Sequence, residues 1–241
     1  MWIIVLVLLI ILYMMIYGVI PTIIYRIRNK KDQKLRECAK SKDLYLTFDD
    51  GVDKKYTMEV LKVLKEFEIS ATFFVVASFA AENPKIVARM KEDGHLIGFH
   101  SLNHENEILQ MPLKVKKDFI KGIDILKKLG VKVKYFRPPW GHFSLAGIKE
   151  IKKFNLKIVL WDVIVQDWKA DTDAETIAKK LLDKTTKGNI ICLHDGRGKN
   201  EAPKRTIEAL KIVLPIWKSQ GYIFKTVEEL SDEAWKNVGN N

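Results

Sequence analysis

The chain has 241 residues, 47% apolar and 29% charged, the balance of a folded globular protein rather than a disordered or fibrous one. Its two cysteines, Cys38 and Cys192, exclude a disulfide-stapled mini-protein and are too few for a cysteine-based zinc site. The net charge of +11 is unevenly spread, and no helix-turn-helix, zinc-finger or aromatic-basic pattern accompanies it, so nucleic acid is not an expected partner.

Trp2 to Ile20 carries no charge and is almost wholly Ile, Leu, Val, Met and Tyr. As a helix those nineteen residues rise about 28 Å, enough to cross the roughly 30 Å hydrocarbon core of a bilayer. Nothing basic precedes the run, and it ends Gly-Val-Ile-Pro-Thr rather than in a small-residue cleavage site. This reads as an uncleaved transmembrane anchor over 1–25 rather than a signal peptide. A basic linker over 26–42 follows. Arg26 to Asp43 holds eight cations against three acids, which suits anionic lipid headgroups. Fully extended, it would reach at most about 60 Å. The cations lie on the C-terminal flank, which by the positive-inside bias would place the next domain in the cytoplasm.

From Leu44 the pattern alternates short β-type runs with helical stretches. Strands are predicted at Leu44 to Phe48, Ala71 to Val76, Leu96 to His100, Val133 to Phe136, Lys157 to Trp161, Asn189 to His194 and Tyr222 to Thr226. Helices are predicted at Met58 to Glu66, Pro84 to Asp93, Pro112 to Leu129, Leu145 to Phe154, Ala174 to Lys184 and Ala202 to Gln220. Their starts and stops are marked by Pro and Gly. Seven strands separated by helices imply an α/β fold with a parallel sheet, open or closed into a barrel; periodicity does not choose between the two.

Polar clusters fall at the C-terminal ends of the predicted strands, where α/β folds place their sites. They are Thr47-Phe48-Asp49-Asp50-Gly51, His100-Ser101-Leu102-Asn103-His104, Arg137-Pro138-Pro139-Trp140-Gly141, Asp167-Trp168 and Leu193-His194-Asp195-Gly196. Two histidines four apart can aim both rings at one point. A carboxylate from another strand end completes a three-ligand face that leaves room for water. Taken alone, His100 and His104 are equally a surface pair and Asp-Asp-Gly an ordinary turn. Arg137 either holds a free carboxylate ionised or is a surface arginine before a Pro-Pro turn. His194 ends an apolar run and is either a partly desolvated proton donor or a loop cap; Asp167 either raises the pKa of that imidazole by pairing with it or caps a helix or turn. His95 and His142 fall outside these clusters and read as a structural and a loop histidine. Cys192 reads as a small core residue.

The motifs TFDDG, HSLNH, RPPWG, DW and LHDG, in this order, resemble the five motifs of the polysaccharide deacetylases, the NodB-homology group or carbohydrate esterase family 4. The resemblance covers about Asp43 to Leu230 and implies a deacetylase domain over 43–231, with a C-terminal tail at 232–241. It implies a deformed (β/α) barrel of about seven strands behind the N-terminal transmembrane helix. Asp49 is then the general base. Asp50, His100 and His104 are the ligands of a divalent metal, Zn²⁺ in the first place, with Co²⁺ or another divalent ion also compatible. Arg137 holds the base, Asp167 tunes the general acid His194, and Trp140, Trp168 and Leu193 line the substrate site. A backbone N–H beside Asp50-Gly51 is expected to help stabilise the oxyanion.

Three departures stand out: Val52 follows Gly51 where the family usually has Pro, Ile164 occupies a common Asp position with Asp162 two residues earlier, and Trp140 replaces a common Tyr. None removes a ligand, base or acid. The expected activity is metal-dependent N-deacetylation of an N-acetylated amino sugar in a cell-envelope glycan such as peptidoglycan, releasing acetate. A lipid-linked saccharide, a non-sugar amide, or glycan binding without turnover are the other readings. Such a substrate would set the domain outside the cell, against the charge bias; the expected location is a single-pass protein of the cell membrane with an extracytoplasmic domain.

Overall fold

The computed structural model describes residues 2–230; the tail expected at 232–241 lies outside the described residues. A single long helical rod opens the chain: α1 (Trp2–Met14), a π-helical turn (Met15–Val19) and α2 (Ile20–Glu37) run on without a break. The segment expected as an extended linker is therefore mostly helix. From Ile20 onward it is folded onto the domain through Tyr25, Asp32 and Arg36, which are buried.

The domain is a curled parallel sheet. Its strands are β1 (Asp43–Asp49), β2 (Thr72–Val75), β3 (Leu96–Phe99), β4 (Tyr135–Phe136), β5 (Lys157–Ile158), β6 (Val163–Ile164), β7 (Ile190–His194) and β8 (Ile223–Lys225). They lie in the order β5-β4-β3-β2-β1-β7-β6. The lower half of β1 also pairs with β8, and its upper half with β2. Among the described residues β5 and β6 do not pair, so the barrel is open along one seam.

Seven of these strands fall on predicted runs. The additional strand, β6, is two residues long, too short for an alternation to register. The run expected to Trp161 stops at Ile158 because the carbonyls beyond it turn elsewhere. Arg137 takes those of Val159 and Leu160, and Asn29 of α2 takes that of Trp161.

Around the sheet stand α3 (Tyr56–Glu66), α4 (Ala77–Glu82), α5 (Pro84–Glu92), α6 (Pro112–Lys128), α7 (Leu145–Lys153), α8 (Ala174–Lys184) and α9 (Ala202–Ser219). Several starts are capped by side chains: Asp53 accepts from the N–H groups of Lys55 and Tyr56, Ser144 from Gly147, and Asp173 from Thr176. Six-residue α4 was not predicted. One core joins the outer face of the sheet to these helices, with Phe48, Phe73, Leu193, Leu210 and Trp217 fully enclosed.

Helix α2 lies along the open seam. Tyr25 stacks on Phe143 at 4.3 Å, Thr22 Oγ1 accepts from the Phe143 N–H at 2.9 Å, and Arg26 donates to the Trp140 carbonyl at 2.8 Å. Arg36 Nη2 reaches both oxygens of Asp162, at 2.8 and 2.9 Å, and its Nε donates to the Gly188 carbonyl at 3.0 Å. Asp162 is thus committed to α2 and the Ile190 N–H, and does not stand in for the acid absent at Ile164.

Candidate active site

The site assembles at the C-terminal ends of the strands. Asp49 ends β1 and sits opposite His194, the last residue of β7. His100 follows β3, and Arg137 follows β4. Parallel pairing brings these four tips to one end of the sheet, with β2 between β1 and β3, although up to 145 residues separate them in the chain.

Arg137 is fully buried and spans the floor. Its Nη1 donates to Asp49 Oδ1 and to Thr47 Oγ1, each at 2.7 Å, and its guanidinium lies over the Phe74 ring at 4.2 Å. Cys192 Sγ donates to the other Asp49 oxygen at 3.3 Å. Burial first, then the Asp49 charge, pushes this thiol well above its ordinary value, so it is a proton donor here and no thiolate ligand. Cys192, read from the sequence as core filling, therefore orients the carboxylate. Asp49, Cys192 and His194 lie close enough to hold an ion. In that trio both Asp49 oxygens are already engaged, one by Arg137 and the other by Cys192.

Leu193 departs from expectation. Thr47 and Cys192 face the interior of the barrel, and the strand period of two turns Phe48 and Leu193 outward. Leu193 is enclosed beneath the helices and offers no surface to a ligand. Cys192 stands on the site side in its place.

Asp50 has a left-handed backbone (φ 73°) that swings its carboxylate away from Asp49. Its Oδ1 lies 3.4 Å from His100 Nε2 and 2.9 Å from His104 Nε2. The His100 Nδ1 sits 2.7 Å from the Arg137 carbonyl, which only accepts. Nδ1 therefore carries the proton, and Nε2 presents its lone pair inward. His104 is held by a tight loop at φ 54°, its N–H donating to Ser101 Oγ at 2.7 Å. Asp50 Oδ1 is buried without a hydrogen-bond donor, and one oxygen and two imidazole nitrogens converge within 4.8 Å of one another. Converging lone pairs without a shared proton are the donor set of a divalent cation, so these residues fit one. Burial alone would raise the Asp50 carboxyl; were the rings protonated in the cation-free protein, their contacts with it would outweigh burial and hold it well below the ordinary carboxylate range.

Across the site, His194 Nδ1 pairs with Asp167 Oδ1 at 2.9 Å. Asp167 also accepts from the His194 N–H and from Thr206 Oγ1. Burial would lower the imidazole pKa. The Asp167 charge and hydrogen bond, reinforced by Asp50 and Asp49, prevail and raise it to about 9. Trp168 packs edge-on against this ring at 4.9 Å, and Trp140, 48% exposed, does the same to His104 at 4.4 Å. An open groove of about 440 Å³ begins at Asp50 and is walled by Asp53, Lys54, Glu82, Asn83 and Arg197.

Sequence reasoning assigned no role to Asp195. It is buried behind Gly51, accepts from Thr57 Oγ1 at 2.5 Å, and its own N–H donates to the Asp49 carbonyl. Burial pushes its carboxyl up to about 7. The outer histidines are quieter: His95 accepts the Ala71 N–H, and His142 lies 3.1 Å from Asn106.

A curled parallel half-barrel carries two imidazoles and a carboxylate that converge on one point, between an arginine-held carboxylate and an aspartate-held imidazole, the arrangement of a hydrolase. The chain belongs to the polysaccharide deacetylase family, whose sequence model matches residues 36–159. A peptidoglycan-N-acetylglucosamine deacetylase of Bacillus cereus is 35% identical over 78% of this chain and 88% of its own length. The peptidoglycan-N-acetylmuramic acid deacetylase PdaA of Bacillus subtilis is 32% identical over 81% and 73%. Among solved structures, a peptidoglycan N-acetylglucosamine deacetylase in complex with 4-naphthalen-1-yl-N-oxidanyl-benzamide superposes with a TM-score of 0.75, 31% identity and 80% and 89% coverage. A family 4 acetyl xylan esterase from Clostridium thermocellum, solved with a cobalt ion, gives 0.69, 34%, and 78% and 90%.

Proposed function

We propose that this carbohydrate N-deacetylase acts on N-acetylated amino sugars of peptidoglycan and releases acetate. The observation that carries the reading is the position of one cation donor set between two oppositely prepared groups, Asp49 and His194. The names of the Bacillus relatives support the substrate.

A divalent cation held by Asp50, His100 and His104 would supply Lewis acidity, polarising the amide carbonyl and making water more acidic. Zn²⁺ suits the two imidazoles and one carboxylate, and Co²⁺ shares that preference. Asp49, fixed by Arg137 and Cys192, takes a proton from the water that adds to the carbonyl carbon. His194, kept protonated by Asp167, gives its proton to the amide nitrogen as the carbon–nitrogen bond breaks. The products are acetate and a free amine. Base and acid keep separate states because their partners carry opposite charge. Trp140 and Trp168 stand beside the two ends of the site, where sugar rings would pack on them.

The apolar helix of 2–20 would cross the membrane once, with the domain outside. Docking of α2 on the domain favours a glycan close to the bilayer, which keeps a lipid-linked saccharide as the second substrate. Acetate release is the direct test, with the full chain in detergent, Zn²⁺ or Co²⁺, and either peptidoglycan or chitooligosaccharides. Turnover on peptidoglycan that Asp49→Asn abolishes supports the proposal; undiminished turnover by that variant overturns the base assignment. Exposed Cys38 reports the topology, since an impermeant maleimide should label it in intact cells. Labelling only after lysis would place the domain inside.

A further inference from the structure

The turn that follows His104 carries a surface unlike the rest of the domain. Leu109, Met111 and Leu113 are 75%, 75% and 72% exposed, while no other large apolar side chain described outside the N-terminal rod exceeds the 53% of Ile223. Three such side chains within five residues are not scattered surface leucines.

Their position relative to the rod gives them a partner. The Tyr17 hydroxyl donates to the Gln110 carbonyl, and Ile108 packs so closely on Gly18 that a Cβ there would collide with it. A span of about twenty residues beginning at Trp2 ends near Pro21. Tyr17 lies four residues, about 6 Å, short of that end. A turn seated against Tyr17 and Gly18 is therefore at the depth of the acyl chains, not above the headgroups.

The turn is prepared for that depth. Glu105 is neutralised by Lys114, and Glu107 points inward, accepting from the Ser144 N–H. Leu145 shares a groove with Ile16, Ile20 and Ile24 on the same side of the rod. Lys116 and Lys117 are exposed one turn into α6, and Arg26 and Arg28 are exposed on α2 five and seven residues beyond Pro21, cations suited to anionic headgroups.

We infer that Leu109, Met111 and Leu113 insert into the outer part of the hydrocarbon layer as a second membrane contact beside the anchor. The inference rests on the proposed membrane span of 2–20. The side chains enter about 5–10 Å, the depth usual for interfacial apolar elements. His104 is five residues from Leu109, so one side of the cation site is carried on a segment held in the bilayer.

Fluorescence quenching in vesicles tests this with the full chain. Bimane is placed singly at Ile10→Cys, Met111→Cys and Lys62→Cys in a Cys38→Ala background, and each protein is reconstituted into phosphatidylcholine and phosphatidylglycerol vesicles with or without brominated acyl chains. Lys62 is exposed on α3, which packs on α5 and α9 far from the seam. Emission at positions 10 and 111 should fall roughly twofold with brominated lipid and stay constant at 62, as expected for labels inside and outside the acyl layer. Quenching at 10 with position 111 behaving like 62 would overturn the inference and leave the anchor standing. Quenching at neither would overturn both.

Discussion

Asp49 and Asp50 are neighbours in sequence with opposite assignments, and one backbone angle separates them. At φ 73° Asp50 turns toward His100 and His104, while Asp49 stays in register with β7 and meets Arg137. Asp49→Asn should therefore lower turnover by roughly a hundred- to ten-thousand-fold, the range for loss of a general base. Calorimetric Zn²⁺ binding should persist in that variant and be lost in His104→Ala. His194 gives a pH prediction. In the cation-free protein its imidazole should titrate near 9 by NMR, and Asp167→Asn should bring it down because the raising charge is gone. The acid form is the one that works, so alkaline loss of activity should move to lower pH in Asp167→Asn. Cys192→Ala should lower turnover with little change in Zn²⁺ affinity, since Cys192 touches Asp49 and not the cation donors. These residues were legible as chemistry-bearing types at strand ends. The alternation that puts Cys192 inside and Leu193 outside was not, because a continuous apolar run hides which face is which.

At the scale of elements, α2 is the finding the sequence concealed. Arg26 to Lys42 reads as a charged tether because its cations dominate the composition. Yet Tyr25, Asn29 and Arg36 fall on one helical face and meet Phe143, Trp161 and Asp162. The Arg36–Asp162 pair is enclosed, with side chains 8% and 0% exposed. Breaking such a pair by removing one partner costs about 3–5 kcal/mol, because the remaining charge is stranded. Arg36→Met should lower unfolding free energy by about that amount in chemical denaturation. Arg36→Met with Asp162→Asn should cost less than the sum of the two singles, the signature of a direct pair. Strand β6 and helix α4 escaped the sequence for a plainer reason: two and six residues are too few to display a period.

For the whole molecule, the open seam between β5 and β6 makes the N-terminal rod part of the domain rather than an appendage. Removing Trp2 to Met14 should leave a folded domain, since the contacts of α2 begin beyond it. Removing residues through Glu37 should strip Thr22, Tyr25 and Arg36 from the seam and lower the melting temperature by roughly 10 °C, at 2–4 °C per kcal/mol for a domain of this size. Equal melting temperatures for the two truncations would show that α2 contributes nothing to the seam.

By itself the sequence determined the parallel α/β class, the apolar membrane-length run, and the residue types at five strand ends, because periodicity, hydrophobicity and motif chemistry are local properties. Only the tertiary structure decided that the sheet stays open, that a basic segment is a docked helix, and which neighbour of His194 faces Asp49. Those outcomes depend on pairings between residues from about twenty to more than a hundred positions apart, and no local pattern records which distant partner a side chain will meet.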